Sequence, residues 1–153
     1  MENIRKNRLE DSILEFLHLC KPAFFICVGL QILFSDSEEF GSQKGLGFLE
    51  GSVKKIPENN FRKVPIIGWN AINLNHESKL FKNTNNNLNF YFTHSFYVQP
   101  KDKNIISSTS NYYDFKYCSS IENKNLFATQ FHPEKSSKSG LEIYKNFKNI
   151  CLD

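Results

Sequence analysis

Three residues of this 153-residue chain have the types and spacing for thiol-based acyl chemistry: Cys27, His132 and Glu134. Cys27 ends the apolar run Ala23-Phe24-Phe25-Ile26 and precedes Val28-Gly29-Leu30-Gln31. A cysteine on a sharp turn between a buried strand and a helix sits at the helix N-terminus, where the dipole and free N–H groups favour a thiolate. The N–H of Val28 can then donate to the oxyanion formed when the sulfur attacks a carbonyl. Gln31 projects from the same helix face one turn later and can hold a polar substrate beside the thiol. Taken alone, a cysteine at a strand end is as readily a small packing residue.

His132 lies far along the chain, in Ala128-Thr129-Gln130-Phe131-His132-Pro133-Glu134. Residues i and i+2 of an extended segment point the same way, so Glu134 can flank His132 and fix its tautomer. His132 can then take the proton of Cys27. The plain alternative is a turn in which Pro133 stops the strand and Glu134 is solvated. A nucleophile turn and a distant His-x-Glu in one chain point to chemistry more strongly than either does alone.

These groups need elements to hold them. Leu9, Ile13, Phe16 and Leu17 recur at helical spacing, which predicts an amphipathic helix over 8–19. Residues 23–27 read as a buried, parallel strand and 29–34 as the start of a helix. Residues 35–47 read as a loop. Short strands are expected at 52–56, 65–67, 69–74, 90–98, 111–118 and 126–131. A closing helix is expected over 137–151, with Leu141, Tyr144, Phe147 and Ile150 on one stripe. The polar run Asn83–Asn89 reads as a surface loop. This order of elements indicates a single α/β domain. His18 and His76 read as surface residues, and Trp69 either fills the core or lies at an interface.

Composition limits the function classes. A net charge of +3 spread along the chain gives no case for nucleic acid. No apolar run approaches the roughly 18 residues needed to cross a bilayer, so no membrane partner is expected. Four cysteines without Cys-x-x-Cys spacing argue against a zinc or redox site and for free thiols in a cytoplasmic protein.

The segments Phe25-Ile26-Cys27-Val28-Gly29-Leu30-Gln31, Gly68-Trp69-Asn70, Tyr91-Phe92-Thr93-His94-Ser95-Phe96 and Gln130-Phe131-His132-Pro133-Glu134-Lys135-Ser136 occur in that order. Together they resemble the glutaminase subunits of imidazole glycerol phosphate synthase, which are class I glutamine amidotransferases. Ser37-Glu38-Glu39 and Gly45-Leu46-Gly47 fit the same pattern. The resemblance implies a flavodoxin-like sheet carrying a Cys27–His132–Glu134 triad. It also implies glutamine-binding positions at Val28, Gln31, Glu39, His94 and Ser95, with no metal and no cofactor. Trp69, Tyr91 and Lys135 match positions facing a cyclase subunit in a heterodimer. That cyclase builds the released ammonia into the imidazole ring during histidine synthesis.

The chain departs from the family pattern at two places. Phe25 stands where the family has glycine, next to the tight turn. Family members also begin with a strand–helix–strand stretch, a unit of roughly 30 or more residues. It ends in a Pro-Gly-x-Gly segment that helps form the oxyanion hole, and no such segment is present. The expectation is therefore an N-terminally truncated amidotransferase domain over 1–153, its N-terminal strands missing and a sheet edge exposed. Two other functions compete with the leading one. One is a glutaminase serving another synthase, such as one amidating a surface sugar; the other is a non-catalytic scaffold that binds the cyclase.

Overall fold

The computed structural model describes residues 1–84 and 88–152, so the centre of the polar run Asn83–Asn89 lies outside the described residues. The chain opens on a short helix α1 (Glu2–Lys6) and the amphipathic helix α2 (Leu9–His18). Helix α1 was not expected from the polar start of the chain. Strand β1 (Ala23–Ile26), the five-residue helix α3 (Val28–Ile32) and strand β2 (Phe34–Ser37) follow. Then come β3 (Gln43–Lys44), β4 (Leu49–Lys55), β5 (Ile66–Leu74), β6 (Asn89–His94) and β7 (Phe96–Pro100). The last elements are β8 (Ile106–Tyr112), β9 (Phe115–Asn123), β10 (Leu126–Thr129) and α4 (Ser137–Leu152).

Six strands form one sheet in the order β1-β10-β9-β8-β5-β6, and four form a second in the order β3-β2-β4-β7. Strand β1 runs parallel to β10, with Ala23 opposite Leu126 and Ile26 opposite Thr129. That pair is the structural basis of the site, because both strands end at the same edge of the sheet. The expected parallel strand at 23–27 is thus present, within an α/β architecture.

Four expectations are corrected. The loop expected over 35–47 contributes β2 and β3; Ser35 and Asp36 are polar, but Phe34 anchors the strand with no exposed surface. The runs 65–67 and 69–74 form one strand, β5, passing through Gly68 at φ +133°. The run 90–98 is two strands, parted at Ser95, and they join different sheets. On α4, Gly140 and Ile143 are buried and Phe147 and Ile150 of the expected stripe pack beside them, whereas Leu141 is 59% exposed.

Two apolar clusters hold the layers together. One gathers Leu17, Ala23, Leu30, Leu33, Phe34, Val53 and Val98 between α2, α3 and the smaller sheet. The other is aromatic: Phe90, Phe92, Phe127 and Phe131 pack with Ile66, Ile72 and Ile143. Phe131 stacks on Phe90 with ring centroids 4.0 Å apart and meets Phe92 edge-on. Aromatic pairs of this kind add roughly 0.5–1.5 kcal/mol beyond area burial. Phe131 therefore anchors the segment that leads from β10 to His132.

Candidate active site

Cys27 stands between β1 and α3 with φ 51° and ψ −105°, a conformation that costs a non-glycine residue roughly 1–3 kcal/mol. Its own N–H, 2.7 Å from the carbonyl of Thr129, prolongs the β1–β10 pairing by one residue and fixes the turn. Phe25 is accommodated within β1, which keeps its register with β10; the ring side of Phe25 packs against Gly29. The thiol is half-buried, and burial pushes it above the ordinary cysteine value. The Val28 N–H and the Gln130 amide pull it back down, but by less. The turn's N–H thus favours the thiolate as expected, while burial opposes it more strongly.

His132 follows β10 by three residues. Its ring Nδ1 lies 2.6 Å from Glu134 Oε1, and its Nε2 is buried without a partner among the described residues. Because a carboxylate only accepts, the bond puts the proton on Nδ1 and leaves Nε2 as the basic nitrogen. The loop is clamped to β6: the His132 N–H donates to the Tyr91 carbonyl at 2.9 Å. The Ser136 hydroxyl donates to the His132 carbonyl at 2.6 Å and accepts from the Tyr91 N–H at 3.0 Å. Glu134 is close enough to raise the Cys27 thiol electrostatically, as is Glu39. Cys27 and His132 do not hydrogen-bond to each other; the Cys27 Sγ lies 3.9 Å from the Thr93 carbonyl oxygen.

A cavity of about 480 Å³ opens beside Val28 and is lined by Gln31, Ser37, Glu39, Phe40 and Gln43 among others. Val28 is 61% exposed there, while Gln31 is buried. Gln31 Nε2 donates to the Phe96 carbonyl at 3.0 Å and to Gln130 Oε1 at 3.2 Å. Both amide hydrogens are thus used, which leaves Gln31 Oε1 to accept from a ligand N–H. Glu39 is partly buried, its backbone N–H held by the Ser37 hydroxyl at 3.1 Å.

His94 is buried between Phe92 and Tyr117, and its Nδ1–H donates to the Phe96 carbonyl at 2.8 Å. Burial lowers it to about 4, so it is neutral, and its Nε2 is buried without a partner among the described residues. Ser95 lies at the break between β6 and β7, where its carbonyl accepts from the Ile56 N–H. Trp69 lies opposite Tyr91 on β5 and β6, its ring edge-on to the tyrosine and 53% exposed. That excludes the core reading of Trp69. The Lys135 ammonium sits 5.9 Å above the same tyrosine ring. His18 and His76 are exposed. Among the described residues, no group of three or more His, Cys, Asp or Glu side chains is arranged to hold a metal, and no helix is long and apolar enough to cross a membrane.

Residues 6–150 match the family model for class-I glutamine amidotransferases. The HisH subunit of imidazole glycerol phosphate synthase from Dehalococcoides mccartyi is 42% identical over 149 residues, spanning 97% of this chain and 71% of that protein. This chain belongs to that family.

Another HisH subunit, from Pyrococcus furiosus, is 42% identical over 93% of this chain and 72% of its own length. That from Pelagibacter ubique is 48% identical over 85% and 62%. Among solved structures, a glutamine amidotransferase from Thermotoga maritima superposes with a TM-score of 0.61 at 19% identity, over 94% of this chain and 54% of that one. A second glutamine amidotransferase gives 0.68 at 16% identity, over 98% and 71%. The fold is therefore that of the class I amidotransferases.

Two further residues, not among the candidates offered by the sequence, help build this site. Gln130 and Ser136 are both fully buried polar side chains inside quoted motifs. A glutamine in the apolar run from Leu126 to Phe131 was the available signal, since a buried amide needs partners.

Proposed function

We propose that the chain, acting as one amidotransferase domain over 1–153, hydrolyses glutamine to glutamate and ammonia. It passes the ammonia to a cyclase subunit that makes imidazole glycerol phosphate in histidine biosynthesis. The observation that carries the reading is the His132–Glu134 bond at 2.6 Å with Nε2 left basic, just beyond the strand paired in parallel with the one that delivers Cys27. The identity to HisH subunits over nearly the whole chain supports the choice of pathway.

In this reading the γ-carboxamide of glutamine enters beside Val28. His132 Nε2 takes the thiol proton as Cys27 Sγ attacks the carboxamide carbon. The Val28 N–H donates to the resulting oxyanion, an interaction typically worth about 100- to 1,000-fold in rate. His132 then gives its proton to the departing nitrogen, and ammonia leaves with a thioester on Cys27. Water, deprotonated by His132, attacks the thioester, releases glutamate and restores the thiol. Gln31, Glu39, His94 and Ser95 line or support the glutamine site, and no cofactor enters any step.

Exposed Trp69 and half-buried Tyr91, with Lys135 above the tyrosine ring, form the face offered to the cyclase. Four unpaired cysteines suit the reducing cytoplasm. The test is glutamine hydrolysis with and without the cyclase, joined to rescue of a histidine auxotroph lacking this subunit. Hydrolysis without rescue would assign the ammonia to another synthase. Binding without hydrolysis would leave a scaffold.

A further inference from the structure

We propose that Gln130 is a positioning residue for the Cys27 sulfur, its amide N–H forced toward Sγ by the Phe96 carbonyl acting through the Gln31 amide. The inference rests on Cys27 being the nucleophile. Gln130 has no exposed surface, and its Nε2 lies 3.6 Å from Cys27 Sγ.

The direction of this chain of bonds is not free. A carbonyl only accepts, so the Phe96 oxygen selects the nitrogen end of Gln31, at 3.0 Å. Turning the Gln31 amide over would set two oxygens against each other. The second hydrogen on Gln31 Nε2 then selects the oxygen end of Gln130, at 3.2 Å. Turning Gln130 over would set two N–H donors against each other. Its Nε2 is consequently left with one direction to point, and Sγ stands there. The Phe96 carbonyl is itself held, because it also accepts from His94 Nδ1 and because Phe96 pairs with Lys55 across β7 and β4.

The consequence is a donor toward the sulfur that does not depend on substrate. A thiolate gains more from an N–H donor than a thiol does, since bonds to charged groups are the stronger ones. Gln130 therefore opposes the burial that disfavours ionisation of Cys27. It also links the sulfur to Gln31, a wall of the cavity where the ligand enters.

The test is the pH profile of Cys27 alkylation by iodoacetamide without glutamine, resolved by mass spectrometry from the exposed Cys20 and Cys151. Gln130→Met removes the donor at similar length, and Gln130→Glu keeps the shape but replaces N–H with oxygen. Each should slow alkylation at neutral pH by about tenfold and move the midpoint up by about one unit. Gln31→Met should move the midpoint in the same direction by less, although no substrate is present. In the complex with the cyclase, Gln130→Glu should lower kcat about tenfold while KM for glutamine stays within about twofold, scaling with the lost thiolate. An unchanged profile in Gln130→Glu, with circular dichroism and melting like the parent, overturns the proposal even if Gln130→Met fails to fold. The alkylation profile needs no glutamine turnover, so a chain that does not hydrolyse glutamine would refute the functional reading and leave this result standing.

Discussion

The backbone of Gly140, in the first turn of α4, presses against the carbonyl of Pro133 so closely that no β-carbon fits between them. Pro133 separates His132 from Glu134, so the closing helix braces the loop that carries the base. Gly140→Ala should destabilise the fold by about 1–3 kcal/mol through overpacking, although glycine to alanine normally stabilises a helix. It should also lower glutamine hydrolysis by displacing His132. Urea midpoints and kcat check both, and a variant as stable and active as the parent would contradict the contact.

Cys27 should be the residue modified by a glutamine-like electrophile, with Cys118 fully protected by burial. Cys27→Ala should abolish hydrolysis while leaving cyclase binding intact. Because burial holds the thiol above its ordinary range, the thiolate fraction grows with pH. Labelling should still be accelerating at pH about 8.5, the midpoint of an ordinary cysteine. A plateau reached below neutrality would contradict the effect of burial, and equal labelling of Cys20 would reverse the assignment.

His94 gives stability a pH dependence whose sign follows from its burial. It is held near 4 when folded and returns to its ordinary value near 6.5 when unfolded. Between those values the unfolded chain binds the extra proton, so stability is complete above about pH 6.5 and is lost as pH falls toward 4. The full span is on the order of 3 kcal/mol. Urea titrations should show His94→Phe losing less stability than the parent across that window. An identical slope would mean that another group carries the effect.

Lys135→Glu should weaken association with the cyclase while lowering the melting temperature only slightly, since an exposed cation–π contact is worth about 0.5–1 kcal/mol. The side chain is exposed and sits over the Tyr91 ring, so reversing its charge removes a cation–π contact and alters the face beside Trp69. Rim charges act mainly through on-rate and salt dependence, which stopped-flow measurements at two ionic strengths would read. Unaltered association would move the interface away from this patch.

The turn at Cys27 and the His132–Glu134 pairing were legible because their signals are local: an apolar run breaking at Cys27, and a histidine and glutamate separated by one residue. Trp69 was not decidable, since a large aromatic suits core and interface alike and only the register opposite Tyr91 settles its exposure. The break at Ser95 was invisible because Phe90 to Val98 is uniformly strand-forming, and the switch between sheets is a tertiary choice. The turn at Cys27 carries a local signal for the thiolate, but the groups that enclose its sulfur include Thr93 and Gln130, far from it in sequence. The polarity of the Gln31–Gln130 amide pair is set by one carbonyl, and no residue pattern encodes that.

The parallel pairing of β1 with β10 has a consequence for the growing polypeptide. Ala23 waits for Leu126, 103 residues later, before its strand has a neighbour among the described residues. At translation rates of about 5–20 residues per second, the thiol emerges roughly 5–20 s before its base is made. Contacts of such long sequence separation also form slowly once both ends exist. With the proposed triad, a nascent chain carries the Cys27 thiol without a proton acceptor, and ammonia release begins only after His132 has been translated and β10 has docked.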